Sequence, residues 1–378
     1  MFFFLAFVII ALACATITIR NLIWYGNFGP VMRTIVTTIV IIGWFGVIPL
    51  YGLKKYNLLP DGIYGVLHNT LYGMLAFMFI LFVMLLFRDT FWLITFKIMK
   101  MLGKASWNWD PNNEQRLNQV NLVTVLLSMA ICIYAGWQAK KLPDIAEINL
   151  YSDKITNNIK IVQVSDFDLS RRTSKEKVKD IIKQVNLLTP DVVVLTGDVI
   201  GDNIEKIIPL LQELREFSAP YGVYAVMGEQ EFEHNVYAAK KNFEALGITF
   251  LFNGGVTIKP ANVFISGIPD YSSMSERINL WRTIYKSKQG EYRVLLSHSP
   301  MIIDALSKEL FDVVLSGHTH GGQFFPFHWF VQKINNYLAG HYNINGIDLF
   351  VSRGVGTIGP QMRLLAPADI AVINLRSK

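Results

Sequence analysis

The chain has 378 residues, more than the ~100–200 of a single domain, so two domains are expected. It is 52% hydrophobic and 17% charged with a mean hydropathy of +0.33. Soluble proteins carry about 25% charged residues, so a wholly soluble protein is excluded, as are disordered, collagen-like and disulfide-rich classes. Residues 1–139 hold 9 Lys/Arg and 4 Asp/Glu, residues 140–378 hold 26 and 25, so the basic balance belongs to the apolar part and points to membrane headgroups rather than nucleic acid.

Four runs, 2–19, 34–53, 62–87 and 117–139, contain no Asp, Glu, Lys or Arg. At 1.5 Å per residue, about 20 residues cover a ~30 Å hydrocarbon core, so these read as four membrane spans forming an anchor over 1–139. The first has no cationic start and three more follow it, which favours an anchor over a cleaved leader. The segment 88–104 mixes Lys97, Lys100 and Lys104 with aromatics and Met, and reads as an interfacial helix or an amphipathic connector. His68 and Asn69 inside the third run predict an interhelical hydrogen bond. Loops 20–33 and 88–116 carry seven Lys/Arg against five on the opposite side, a balance that favours a C-terminal domain outside the cytoplasm of a multi-pass membrane protein. Cys14 and Cys132 lie inside apolar runs and report nothing on redox compartment.

Residues 140–157 read as a linker. From 158 to 378 short β-branched runs alternate with helical patterns: "IKIVQVSD", a charged helix near 174–187, "DVVVLTGD", a helix near 204–216, and "GVYAVMG". This is an α/β texture, with strand-end loops carrying the site. The stretch 171–179 reads as a solvated helix start. No Walker loop, dinucleotide glycine fingerprint or serine elbow is present.

Asp166 and Asp168 end one strand-like run and Asp198 ends another, after Gly197, which permits close backbone approach. His298 in "LLSHSP" and His318 and His320 in "LSGHTHGGQ" also follow apolar runs. Asp and His converging at strand ends are how a scaffold builds a metal centre. Each Asp taken singly reads equally well as a helix cap, whereas two His at i, i+2 in a glycine-rich turn point to metal.

In order and spacing, "SDFD", "GDVIGD", "GEQEF", "LLSHSP" and "GHTHGGQ" resemble the calcineurin-like metallophosphoesterases over roughly 158–378. "SRGVGTIGPQMRLLAPADI" resembles the terminal segment of their membrane-anchored bacterial branch, which implies a multi-pass protein of the bacterial cytoplasmic membrane. The resemblance implies a four-layer α/β/β/α sandwich behind the transmembrane helical bundle. It also implies two cations about 3.5–4 Å apart generating a hydroxide nucleophile. Asp166, Asp198 and His320 would serve one cation, and Asp198, His298 and His318 the other.

Where the family has Asp-x-His this chain has Asp166-Phe167-Asp168, and where it has Gly-Asn-His it has Gly228-Glu229-Gln230. Asp168 and Glu229 remain competent ligands, and four carboxylates shift preference toward Mn²⁺ or Mg²⁺, with Zn²⁺ or Fe as alternatives. They also cancel the charge of two divalent cations, weakening attraction for phosphate. Gln230 donates a hydrogen bond but not a proton, which removes a general acid worth ~10²–10⁴ in rate. His234 is a substitute if it turns inward, and otherwise a solvated residue. Arg353 and Arg363 read as phosphate-steering groups or as structural ion pairs. The cluster "FFPFHWF" at 324–330 is expected mainly as core, with insertion into a bilayer as the alternative.

The expected function is therefore a membrane-anchored, metal-dependent phosphoesterase with a lipid or lipid-linked substrate. The alternative is a pseudoenzyme that binds metal or a phosphorylated ligand as a membrane sensor or scaffold. Oligomeric state is not readable from the sequence.

Overall fold

The computed structural model describes residues 2–24, 28–55, 58–104, 114–274 and 277–378. The chain separates into two compact units, Met1–Trp137 with Gly359–Gln361, and Gln138–Ile358 with Met362–Lys378.

The first unit is helical. Helix α1 (Phe2–Ile19) runs into a π-helical turn at Arg20–Trp24. There follow α2 (Pro30–Phe45), α3 (Val47–Lys55), α4 (Asp61–Met101) and α5 (Glu114–Lys140). Its core packs Ala11, Cys14 and Ala15 of α1 against Val40 and Trp44 of α2 and Met78, Leu81 and Leu85 of α4. Ile9, Ile10, Ile39, Leu126 and Ile133 meanwhile stay exposed, so these helices are apolar on both their packed and outward sides, as lipid-facing helices are. Three described helices are long and apolar enough to cross a membrane, Leu5–Ile23, Asp61–Met101 and Arg116–Lys140. The run 34–53 is bent by 48° between Phe45 and Val47, and makes a fourth only if both pieces form one span. Pro49 explains the bend: it has no N–H for the carbonyl of Phe45 and its ring crowds that carbonyl.

One local expectation differs. The interfacial segment 88–104 is not a separate element, because α4 continues unbroken through it to Met101. No Gly or Pro occurs between 74 and 102 to end the helix. His68 is buried and stacks on Tyr72 one turn away, ring centroids 4.1 Å apart.

The second unit holds two six-stranded sheets. Its strands are β1 (Asp144–Ser152), β2 (Ile159–Val164), β3 (Val192–Thr196), β4 (Val223–Val226), β5 (Ile248–Phe250), β6 (Gly254–Ile258), β7 (Val263–Gly267), β8 (Tyr292–Leu296), β9 (Val313–Ser316), β10 (Gly340–Ile344), β11 (Ile347–Val351) and β12 (Asp369–Ser377). One sheet runs β1-β12-β2-β3-β4-β5, the other β10-β11-β9-β8-β7-β6. The helices are α6 (Lys175–Leu187), α7 (Ile204–Leu211), α8 (Glu229–His234), α9 (Val236–Ala245), α10 (Tyr271–Met274), α11 (Leu280–Ile284) and α12 (Phe327–Asn335).

Strand alternation explains the layering. In β3, Val193 and Leu195 face an outer core with Val178, Ile181, Ile182 and Val185 of α6, whose spacing makes one helical stripe. Val192 and Val194 face the other way, meeting Val263, Ile265, Val294, Leu296, Val313 and Leu315 of the second sheet. The second sheet's outer face packs Leu295, Val314 and Leu349 under the helical turn Pro300–Ala305 through Ile302 and Ile303. Sheets buried on both faces need uniformly apolar strands, which "VVVLT" supplies. The four-layer sandwich is the expected one.

The expected linker 140–157 is largely strand. β1 pairs in parallel with β12 over nine residues, from Asp144↔Asp369 to Ser152↔Ser377. As an edge strand it is mostly exposed, so its polar residues hid it. Ser174 caps α6 by accepting from the N–H of Lys177, as a solvated helix start requires.

Candidate metal centre

All candidate ligands follow the carboxyl ends of central strands: Asp166 and Asp168 follow β2, Asp198 follows β3, Glu229 opens α8 after β4, His298 follows β8, and His318 and His320 follow β9. Ligand atoms of Asp166, Asp198 and His298 lie within 4.8 Å of one another. His298 Nε2 is 3.3 Å from Asp198 Oδ2. His320 Nε2 is 3.5 Å from Asp166 Oδ1 and 3.4 Å from Asp168 Oδ2. His318 Nδ1 is 4.0 Å from Glu229 Oε2, and its ring stands edge-on to that of His298 with centroids 5.1 Å apart. All seven acidic and histidine candidates thus converge. Glu229 and His318 form the accessible side, with side chains 34% and 17% exposed, while Asp166 and His298 are fully buried.

The backbone is forced into this arrangement. Asp166, Asp168, Asp198, His318 and His320 all have positive φ, between 47° and 73°, a region non-glycine residues occupy at a cost of about 1–3 kcal/mol each. Hydrogen bonds between the strand-end loops hold them there. The N–H of Asp166 donates to Gly197 O (3.1 Å), that of Asp168 to Asp198 O (2.9 Å), and that of His318 to Asp166 Oδ1 (3.0 Å). A Cβ on Gly197 would fall 2.5 Å from His298 Nδ1, so only glycine admits this approach.

The donor set fits divalent cations. His298 Nδ1 donates to the carbonyl of Thr196 at 2.8 Å, which turns Nε2 toward Asp198 and the cluster, where a cation can displace its proton. Asp168 Oδ2, His298 Nε2, His318 Nδ1 and both His320 ring nitrogens are buried without a hydrogen-bond partner, an arrangement that folding disfavours unless something coordinates them. Among the described residues no lysine or arginine is ion-paired with Asp166, Asp168 or Asp198, so His298 is the cationic group beside them, and three carboxylates leave room for further positive charge.

The protonation equilibria agree. Burial, and then the charge of Asp198, push the Asp166 carboxyl up to about 6 against the pull of His298. Burial with the charges of Asp198 and Asp166 lifts Asp168 well above the usual range, and burial beside Asp198 lifts Glu229 to about 7. Asp198 alone is held low: burial opposes ionisation, but His298 and the N–H of Gln230 prevail. Burial drives His318 down to about 4. Protons and cations compete for the same atoms here.

The other candidates take different parts. Arg363 is fully buried and donates to the carbonyls of Arg353, Gly354, Gly356 and Ala366 at 2.7–3.1 Å, so its guanidinium braces the loop behind the cluster. Arg353 pairs with buried Asp369 (3.2 Å), the ion-pair reading. Gln230 contributes its backbone N–H to Asp198 Oδ1 (2.9 Å). His234 turns its Nδ1 to the Gln230 carbonyl (3.0 Å) and lines a separate cleft with Asn203, Ile204 and Lys241, so it is no substitute acid. The 324–330 cluster divides: Phe324 is buried, whereas Phe327, Trp329 and Phe330 are exposed.

Glu231 escaped the sequence reading. It is fully buried, and its carboxylate accepts from the N–H groups of Asp198 (3.1 Å), Ile200 (2.8 Å) and Gly228 (2.8 Å). It ties the β3 loop to the start of α8. The available signal was Glu three residues after the glycine that caps α8, a capping-box spacing.

Residues 159–322 match the calcineurin-like phosphoesterase family. An uncharacterized metallophosphoesterase of Campylobacter jejuni is 27% identical over 318 residues, covering 82% of this chain and 83% of the relative. One of Aquifex aeolicus is 30% identical over 235 residues, covering 58% and 86%. A zebrafish transmembrane protein with a metallophosphoesterase domain is 24% identical over 310 residues, covering 76% and 70%. With the strand-end acidic and histidine cluster in place, the chain belongs to the calcineurin-like phosphoesterase family, hydrolases that act on ester bonds.

Proposed function

We propose that this chain is a membrane-anchored phosphoesterase that uses two divalent cations, Mn²⁺ or Mg²⁺ by preference, to hydrolyse a phosphoester carried on a lipid or lipid-linked molecule. The observation that carries the reading is the convergence of Asp166, Asp168, Asp198, Glu229, His298, His318 and His320 with unpartnered buried nitrogen and oxygen atoms. Four carboxylates beside three imidazoles favour oxygen-preferring cations over Zn²⁺. Bound there, the cations supply Lewis acidity and positive charge for phosphoryl oxygens.

The chain's own groups do the positioning. Asp198 stands between the two halves of the cluster, held by the N–H of Gln230 and by His298. Asp166, fixed by the His318 N–H, and Asp168 flank His320. Glu229 and His318 form the accessible rim where a substrate enters. Gln230, in the position of the family's histidine, donates a hydrogen bond to a phosphoryl or leaving-group oxygen but carries no proton to give. Departure of the leaving group then draws its proton from solvent, which favours substrates with acidic leaving groups. The apolar helices of the first unit support a multi-pass anchor, proposed for the bacterial cytoplasmic membrane with the sandwich unit outside the cytoplasm.

The test is Mn²⁺-dependent hydrolysis of a chromogenic phosphodiester by the full chain in detergent, beside His318→Ala. Hydrolysis lost in the variant supports the reading. Gln230 favours a second reading, a domain that binds a phosphorylated ligand without turnover. If Asp168→His, Glu229→Asn and Gln230→His together create hydrolysis that the natural chain lacks, that second reading stands and the enzyme reading fails.

A further inference from the structure

The helix that follows the histidine turn is inverted. Helix α12 reads FHWFVQKIN, and Phe327, Phe330 and Ile334 at i, i+3 and i+7 form one apolar stripe. Such a stripe ordinarily faces a core. Here Phe327, Phe330 and Ile334 are 44%, 63% and 53% exposed, while the inward position is taken by the polar Asn335. Trp329, 69% exposed and edge-on to Phe325 at 5.4 Å, and Leu365, 67% exposed, extend the patch. Leu365 is fixed beside the helix, its carbonyl lying 3.3 Å from His328 Nε2. With aromatic side chains of 150–250 Å² each, the exposed apolar area is roughly 400 Å², a size that marks an interaction site.

Two observations select the occupant. Only residues 141–143 separate the apolar helix α5 from strand β1, and three residues reach no more than about 10 Å. The sandwich unit is therefore tied by a short connection to the helices proposed to enter the membrane. The helix also contains no Asp or Glu and ends near Lys333, the composition of a helix seated at an anionic lipid surface, with Trp at headgroup level. We infer that α12 is a lipid-docking helix whose Phe327, Phe330 and Ile334 enter the acyl region of the bilayer, bringing a phosphoester borne on a lipid headgroup to the adjoining His318–His320 turn. The inference rests on the membrane anchorage proposed above.

The experiment uses the full chain, with Cys14 and Cys132 replaced by alanine, reconstituted into phosphatidylcholine–phosphatidylglycerol vesicles. A nitrobenzoxadiazole label is placed on Phe330→Cys, on Trp329→Cys as a second site, and on Tyr237→Cys, 81% exposed on α9, as the reference. The expected result is blue-shifted emission at 330 and 329, several-fold stronger quenching by doxyl-labelled lipid than at 237, and protection from aqueous iodide. Labels at 330 and 329 that behave like 237 in a chain resisting alkaline carbonate extraction overturn the inference and leave the anchor standing. Concentration-dependent self-quenching at 330 without lipid quenching overturns it in favour of a second copy on this face. Release of the chain by carbonate refutes the anchor and the inference together. Phosphodiester hydrolysis by the same vesicles reports separately on the enzyme reading.

Discussion

Replacing Glu231 separates the scaffold of the metal centre from its ligands, because this side chain offers no atom to a cation. Three backbone N–H groups, those of Asp198, Ile200 and Gly228, converge on its carboxylate, and a buried donor left unsatisfied costs about 1–3 kcal/mol. In Glu231→Gln one oxygen survives. Asp198 and Gly228 both use Oε2, so they can keep their acceptor while the amide NH₂ faces the Ile200 donor, for a loss of ~1–3 kcal/mol. Glu231→Ala orphans all three and should lose at least ~3 kcal/mol. In a unit of this size each 1 kcal/mol shifts Tm by roughly 2–4 °C. Because the Asp198 N–H is one of the three, cation affinity falls as well, by the ~10–100-fold typical of groups that orient ligands. Burial and the charge of Asp198 push the Glu231 carboxyl up, and bound cations cancel that charge, so the Glu231→Gln loss is larger with Mn²⁺ than without. Calorimetry and Mn²⁺ titration of the full chain in detergent measure both effects. A Glu231→Gln protein with wild-type Tm and wild-type Mn²⁺ affinity would refute the reasoning.

Three further outcomes are expected. Gly228 has φ −98°, open to any residue, but an added Cβ would lie 2.2 Å from Asp198 Oδ1 and 2.7 Å from His298 Cδ2. Gly228→Ala therefore costs ~1–3 kcal/mol through crowding and weakens Mn²⁺ binding, and unchanged binding in titration counts against this packing. Gln230→His restores a proton donor, so hydrolysis of alkyl phosphoesters should rise by ~10²-fold or more while aryl phosphoesters change little; equal acceleration of both classes contradicts the role given to Gln230. In cation-free protein Glu229 (about 7 against an ordinary 4.5), Glu231 and His298 have raised folded-state pKa values, so the stability they contribute is complete at low pH and is lost as pH rises through those values. The opposing gain from the lowered His318 and His320 is complete above about 6.5. Tm with chelator present should then fall from pH 6.5 to 8 and stay level with Mn²⁺; a rise with chelator contradicts the assignment.

Much of the site was legible because strand-end Asp and His follow uniformly apolar runs, and a run such as "VVVLT" has few uses other than a strand buried on both faces. What stayed hidden depends on neighbours far away in the chain. Glu231 looks like a solvated helix residue, and only the fold turns three N–H groups toward it. Arg363 has the sequence appearance of a surface cation, yet five loop carbonyls accept from its guanidinium. Strand β1 hid because exposed edge strands carry polar residues. The 324–330 cluster was legible only in part, because an apolar run does not say which of its side chains turn inward, as Phe324 does, and which stay exposed, as Trp329 and Phe330 do. The left-handed backbone at Asp166, Asp198 and His318 follows from loop hydrogen bonds that no local pattern encodes.

The central claim is that the strand-end cluster holds a pair of divalent cations, and counting them tests it most directly. Full-length protein, stripped with chelator and re-equilibrated with Mn²⁺, should bind two ions per chain by elemental analysis, with an exchange-coupled spectrum in electron paramagnetic resonance. His298→Ala, which removes one of the three ligands that already converge within 4.8 Å, should abolish the coupled signal and leave at most one ion. Wild-type protein that is folded but binds no Mn²⁺, or a His298→Ala protein that keeps the coupled pair, would contradict the account.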